Sequence, residues 1–398
     1  MTRLDPALWS GRPGMDKLLR ALSAEAGETR LVGGAVRDWL LNLPASDLDF
    51  ATRLPPQTVI ERLEAAGIRA VPTGLAHGTV TAVAGGAPYE VTTLRRDVNT
   101  FGRHAEVAFT SDWQEDAARR DFTINALYAD PLTGELFDWF GGLDDLSARR
   151  IRFIGEPLAR IAEDHLRILR FFRFSARFAP ELDDEGLSAC AMRANDLMAL
   201  SRERIRDELL KLLALPAPQA TVSAMLAHEI LKPVLPEIEP ARLADLERLI
   251  AAEIAAHLQP DGLRRLASLL PEDPVIASEI GSRLKLSNAD KARLAHAACR
   301  TSVPADPRVL AYLIGPAATQ DRLLLTGDDR AAQWAGPLSG YVRPRMPVSG
   351  KDLIAMGLAP GPAVSRRLAE VEQRWIEAGF PPDRNRVMAI ARDVLGLR

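Results

Sequence analysis

Apolar residues recur at two different periods along the 398-residue chain, and the period changes near residue 150. Before that point Met15 to Ala26 carries apolar positions at helical spacing, LVGG (31–34) ends a strand-like run, and Ala35 to Leu41 predicts a helix. DLDFA (47–51) alternates and predicts a short strand. AHGTVTAVAGGAPYEVTTL (Ala76 to Leu94) alternates on both sides of Gly85 and Gly86, which predicts a β-hairpin. Beyond Arg150 the spacing becomes helical almost throughout. EDHLRILRFFRFSARF, DELLKLLAL, ATVSAMLAHEIL, ARLADLERLIAAEIAAHL and ADKARLAHAAC follow one another between proline-containing breaks. The pattern predicts an α+β chain, with a mixed sheet and its helices first and an all-helical part after it. PRMPVSGKDLIAMGLAPGPAV (Pro344 to Val364) is rich in turn residues and predicts the start of a tail module.

Composition narrows the class. A hydrophobic content of 47% over 398 residues is enough for two to four domains with cores of their own. No apolar run approaches the roughly 20 residues that cross a bilayer, and the N-terminal MTRLDPALWSGRPGMDK lacks the layout of a secretory signal, so the expected compartment is the cytoplasm. Cys190 and Cys299 lack metal spacing and read as buried thiols, and the six histidines are scattered. A net charge of -3 argues against a uniformly basic nucleic-acid binder but leaves room for a local basic patch.

The first chemical signal is GGAVRDWLLNLPASDLDFAT, Gly33 to Thr52. On a strand, Asp47 and Asp49 project to one side while Leu48 and Phe50 point into the core. Two carboxylates sharing one space repel unless a cation joins them, and Mg²⁺ held by carboxylates and substrate phosphates is a usual occupant. Gly33 and Gly34 end a strand and open a helix, leaving backbone N–H groups to meet a phosphate, and Arg37 one turn later can pair with the same phosphates. An acidic pair alone is common at strand ends; its place 12 residues after a glycine pair gives it meaning.

The second signal is charge hidden within the acidic total. Between Arg149 and Arg177 eight arginines face three acids, a local balance of +5. On a helix, Arg167, Arg170, Arg173 and Arg177 fall within an arc of roughly 120°, opposite Ile168, Leu169, Phe172 and Ala176. Asp164, one turn before Arg167, is placed to pair with it. A solvated face would tolerate lysine equally well, whereas four arginines suit planar bidentate contacts.

Together these strings resemble the head-domain motif of class II tRNA nucleotidyltransferases (CCA-adding enzymes) and bacterial poly(A) polymerases, members of the DNA polymerase beta-like nucleotidyltransferase superfamily. Asn42 stands where that family has a glycine, which is expected to alter a turn and not the chemistry. The resemblance implies a palm-like head whose Asp47 and Asp49 hold Mg²⁺, with Glu90 of PYEVTTLRRD as third carboxylate; a solvated edge residue is the plainer reading of Glu90. RRDFTINALY (Arg119 to Tyr128), read as a polar cluster followed by a helix, resembles the second motif. It implies that Arg120 contacts the nucleotide, that Asp121 reads the ribose and that Asn125 supports them. FDWFGGLDDL (Phe137 to Leu146) resembles the hinge between head and neck. EDHLRILRFFRF resembles the motif in which an aspartate and an arginine imitate a template, making Asp164 and Arg167 base readers and Arg170 and Arg173 further nucleotide contacts. An acceptor and a donor fork together suit the edges of cytosine and adenine. SRERIRDELLKLL (Ser201 to Leu213) resembles a bracing motif, with Arg204 and Glu208 at pairing distance.

By the same resemblance DVNTFGRHAEVAFTSDWQED (Asp97 to Asp116), which contains Arg103 and His104, is the flexible loop kept by enzymes that add the terminal A. Four domains are expected: a catalytic head over 1–140, a neck for base recognition over 141–215, a body over 216–335 and a tail over 336–398, the last two holding tRNA. The implied function is template-independent addition of C, C and A to tRNA 3′ ends from CTP and ATP. Two alternatives stay open at this level: a poly(A) polymerase with the same head, and a catalytically silent tRNA- or nucleotide-binding protein, which would be free to lose the carboxylates.

Overall fold

The computed structural model describes residues 3–45, 47–101, 104–300, 306–327 and 333–397, with backbone alone at 97–101 and 104–107. Its contacts divide it into two units, Met1–Leu243 and Ala244–Arg398. The first carries a seven-stranded sheet, in which β1 (Thr29–Val32), β2 (Asp49–Thr52), β3 (Arg69–Gly74), β4 (Thr79–Ala84), β5 (Ala87–Thr93), β8 (Tyr128–Ala129) and β9 (Leu136–Phe137) lie in the order β3-β4-β5-β2-β1-β8-β9. Its two central strands run antiparallel to each other, and β2 pairs in parallel with β5, with Asp49 opposite Glu90.

The expected hairpin is β4 and β5. Gly85 and Gly86 both have positive φ, as the two-residue turn between Ala84 and Ala87 requires, and a Cβ on Gly85 would meet the Pro13 carbonyl oxygen at 2.1 Å. Met15–Ala26 is interrupted: α1 (Met15–Ala21) ends before Ser23, which has φ 53°, and a short 3₁₀ turn follows over Ala24–Ala26. The helix α2 (Gly34–Leu40) begins on the second glycine. Asn42, just beyond it, has φ 56°, so asparagine adopts the left-handed conformation that a glycine would take and the turn survives. Proline at its N-terminus starts α3 (Pro56–Ala65), which covers the sheet with Val59 and Leu63.

Two expectations change. RRDFTINALY does not continue as a helix: only Thr123–Asn125 forms a 3₁₀ turn, and Tyr128 is already in β8. With Phe122, Ile124, Ala126 and Leu127 all buried, the segment is enclosed on every side and has no polar face for a helix to expose. The stretch after residue 94 is not a loop along its length; β6 (Arg95–Phe101) and β7 (His104–Phe109) pair as a separate two-stranded sheet, and α4 (Trp113–Ala118) follows, capped by Asp112. Arg103 and the side chain of His104 lie outside the described residues.

After the sheet come α5 (Gly142–Ser147), α6 (Pro157–Glu163), α7 (Leu166–Phe178), α8 (Asp184–Met192) and α9 (Arg202–Leu213). Ile168, Leu169, Phe171, Phe172 and Phe174 of α7 are buried. Phe122 reaches this cluster, its ring 5.4 Å from that of Phe174. Trp113 and Ala117 of α4 pack with Val32, Ala51 and Tyr128 beneath the ends of β1 and β2.

The second unit is helical among its described residues. Its core includes Tyr312, Leu353, Val371, Trp375 and Val387. Elsewhere in the unit Glu253, 1% exposed, accepts from Arg264 and Arg265 at 2.8 Å, while Asp321 accepts from Arg264 and Arg293 at 2.8 and 2.6 Å. No described helix is long and apolar enough to cross a membrane.

Candidate active site

Strand pairing builds the site. Asp49 lies opposite Val32 on one side and Glu90 on the other, and Val32 leads directly into the glycine turn. The sheet therefore sets both carboxylates beside Gly33 and Gly34. Alternation holds as expected: Leu48 and Phe50 are buried, Asp49 is half-buried, and Asp47 is exposed just before the strand begins. Gly33 has φ 72°, a conformation that L side chains rarely adopt, and its N–H donates to the Leu127 carbonyl at 3.0 Å.

The acidic group is under electrostatic stress. Burial, then the neighbouring charge of Glu90, pushes the Asp49 pKa up to about 6; Arg120 opposes the shift and Asp47 adds to it. A divalent cation would relieve that crowding, and a set of hard carboxylate oxygens suits Mg²⁺. Among the described residues no three His, Cys, Asp or Glu side chains close a metal shell by themselves. Mg²⁺ bound through one or two carboxylates, with water and substrate phosphates completing its octahedron, does not need them to.

A cavity of about 540 Å³ opens here. Gly33, Gly34, Arg37, Asp49, Arg120, Asp121, Asn125, Asp164, Arg167 and Arg170 line it, together with Arg95, Arg119 and Phe174. The first ten come from the motifs singled out in the sequence. Asp47 and Glu90 are not part of its lining and adjoin it through Asp49. Arg173 is turned away and pairs with Glu208 at 2.5 Å. A larger cavity of about 1120 Å³ in the second unit is lined mainly by alanine, glycine and other small or apolar residues, so the concentration of charge, not size, marks the site.

Each cationic side chain is held by the protein. Arg37 donates to Asp38 through Nε and Nη2 at 2.8 and 2.7 Å and to Asn125 Oδ1 at 2.5 Å, and its guanidinium lies 4.5 Å from the Phe178 ring centre. Burial pushes its pKa down, against the pull of Asp38. Arg37 thus reaches the cavity as a braced group and not as a free phosphate clamp. Asp121 accepts from Asn125 at 2.9 Å and from Arg170 at 2.6 Å. Burial alone would raise its pKa, but Arg170 and these hydrogen bonds outweigh it and hold the carboxyl low.

The expected pairs on the arginine helix are redistributed. Arg167 pairs with Glu163 at 2.5 Å, not with Asp164, and Asp164 accepts from Arg204 at 2.7 Å. The chain breaks between α6 and α7: Asp164 has φ -149° and ψ 106°, which swings its carboxylate toward α9 while Glu163 stays one turn from Arg167. Arg204 and Glu208 consequently have other partners and do not pair with each other. Three of the five N–H groups of Arg167 are engaged, by Glu163 and the carbonyls of Arg160 and Arg119, which leaves Nε–H and one Nη2–H.

Sequence reasoning missed Arg95, Arg119, Asp116 and Tyr128. Asp116 is 1% exposed and gathers Arg119, Arg120 and the Tyr128 hydroxyl. A buried acid three and four residues before an Arg-Arg pair was the available signal.

Residues 29–152 match the family described as Poly A polymerase head domain, and residues 181–242 match the one described as probable RNA and SrmB- binding site of polymerase A. The mitochondrial CCA tRNA nucleotidyltransferase 1 of Mus musculus is 34% identical over 94% of this chain and 89% of its own. The CCA-adding enzyme of Enterococcus faecalis is 30% identical over 94% of both chains. Among solved structures, the Bacillus stearothermophilus CCA-adding enzyme in complex with CTP superposes with a TM-score of 0.75 at 26% identity, covering 96% of this chain and 98% of that one. With a relative this similar along nearly its whole length, the chain belongs to the CCA tRNA nucleotidyltransferase family.

Proposed function

We propose that this enzyme adds C, C and A to tRNA 3′ ends from CTP and ATP, releasing pyrophosphate at each step. One observation carries the reading: a single cavity joins the glycine turn, Asp49, the Arg119–Asp121 cluster, Asp164 and the first arginines of α7, Arg167 and Arg170. Nucleotide, metal and base-reading chemistry thereby share one space.

The terminal ribose hydroxyl of the tRNA forms a bond to the α-phosphorus while the bond to the bridging oxygen breaks, and pyrophosphate leaves with that electron pair. Glu90, beside Asp49, is assigned the hydroxyl proton. Asp47 and Asp49 are the residues that would hold Mg²⁺, which would supply charge neutralisation for the reacting phosphate. Gly33, Gly34 and Arg120 receive the triphosphate, with Arg37 as their buttress. Asp121 and Asn125 address the ribose. Asp164 offers an acceptor and Arg167 its two remaining N–H groups to the base, while Arg170 and Arg173 keep that helix face in place through Asp121 and Glu208. The proposed division is a head over 1–140, a neck over 141–215, and a body and tail over 216–335 and 336–398 that hold the tRNA. The cytoplasm is the proposed compartment, although the murine relative is mitochondrial by name.

Product length at single-nucleotide resolution on a tRNA transcript lacking CCA tests the reading. Growth by three residues that requires both CTP and ATP is expected. Long ladders from ATP alone would make the protein a poly(A) polymerase.

A further inference from the structure

We infer that Tyr128 and Asp116 are positioning residues that aim the Nη1 group of Arg120 at the phosphates of the incoming nucleotide, beside the Gly33 turn. This inference rests on the nucleotidyl-transfer reading above and adds to it the device that sets a phosphate contact.

Three facts carry it. Arg120 is held at two of its three nitrogens: Nε donates to the Tyr128 hydroxyl at 3.0 Å and Nη2 to Asp116 Oδ2 at 3.2 Å. The third, Nη1, has no protein acceptor among the described residues and sits 3.5 Å from where a Cβ on Gly33 would stand. The guanidinium is 19% exposed, and Arg120 lines the nucleotide cavity.

The mounting is itself rigid. Tyr128 is fully buried, and its ring meets those of Trp113 and Trp139 edge-on at 5.7 and 5.5 Å. Its hydroxyl donates to Asp116 Oδ2 at 2.6 Å while accepting from Arg120, so one oxygen spans acid and base. Burial is the main reason that the phenol stays protonated well beyond its ordinary range. Asp116 Oδ1 accepts from Arg119 Nε at 2.9 Å and from the Arg95 backbone N–H at 3.2 Å. Because Arg95 opens β6, the same carboxylate fastens the base of that hairpin to both arginines. A fold staple would use up every donor of Arg120; this arrangement fixes two nitrogens and leaves the third facing the site.

The test is a binding cycle on the full-length enzyme, with CTP and cytidine as probes. Tyr128→Phe keeps the ring and removes the hydroxyl. It should weaken CTP by about tenfold, the worth of a hydrogen bond to a charged group, raise the apparent KM more than it lowers kcat, and leave cytidine binding unchanged. Lysine has no Nε fork, so in an Arg120→Lys background the further loss from Tyr128→Phe should vanish. Asp116→Asn should follow Tyr128→Phe in direction. Equal weakening of CTP and cytidine, or a Tyr128→Phe penalty undiminished in the Arg120→Lys background, would overturn the inference while leaving nucleotidyl transfer intact. A wild-type enzyme that incorporates neither C from CTP nor A from ATP into tRNA would remove the reading and the inference with it.

Discussion

Arg167 on α7 donates through Nη2 to the backbone carbonyl of Arg119 at 3.1 Å. The residue proposed to read the base is therefore fastened to the segment proposed to meet the phosphates, and a change in one should be felt at the other. Arg160 strengthens the same joint by donating to the Arg120 carbonyl at 2.6 Å.

Base choice should respond to this helix. Exchange of Arg167 for Ala is expected to reduce discrimination among the four nucleoside triphosphates by roughly tenfold, the value of one good bidentate base contact. Asp164→Asn should act in the same direction. Competition incorporation with mixed triphosphates reads the ratio directly, and an unchanged ratio would count against base reading.

Removal of the acidic pair should separate chemistry from folding. Asp47→Ala and Asp49→Asn should each lower single-turnover transfer by about a thousandfold or more, in keeping with several kcal/mol of charge stabilisation. Because burial and Glu90 hold the Asp49 pKa up near 6, its charged form is strained in the folded protein. Asp49→Asn should therefore melt no lower than wild type in EDTA at neutral pH. A lower melting temperature would contradict that account.

Asp116 predicts a pH dependence of stability. Burial alone would raise its pKa, but Arg120, Arg119 and the Tyr128 hydroxyl outweigh it and bring it down to about 2. A carboxyl with a depressed folded pKa stabilises the fold fully above the unfolded value near 3.9 and loses that contribution as pH falls toward 2. The contribution is about 2 kcal/mol. Denaturant titrations should show wild type ahead of Asp116→Asn at pH 7, with the gap closing between about pH 4 and pH 2.

In the second unit Glu253 is the shared acceptor of two buried guanidiniums. Glu253→Ala leaves Arg264 with Asp321 as its one carboxylate and Arg265 without this one, and should cost about 3–5 kcal/mol by chemical denaturation. A loss below about 1 kcal/mol would mean that water or neighbouring groups satisfy them.

What could be read from the sequence was whatever lay close together along it. The glycine turn and the Asp47–Asp49 pair fall within 17 residues, and strand alternation fixes their faces. The hairpin announced itself through Gly85 and Gly86. Pairings across the fold were not legible: helical spacing put Asp164 beside Arg167, and one extended residue between α6 and α7 sent the acid to Arg204 instead. The 3₁₀ turn at Thr123–Asn125 was missed because its apolar residues face several neighbours at once and have no single period. Glu90 was found by resemblance, and it took the sheet to place it opposite Asp49.

That pairing of β2 with β5 has a consequence for the folding of the chain. A slip of one residue in either strand would turn its carboxylate to the opposite face of the sheet, since side chains alternate with a period of two. Assembly errors at the centre of the sheet would not yield a sluggish population of molecules but an inert one, so the active fraction of a refolded preparation would report directly on how faithfully these two short strands found each other.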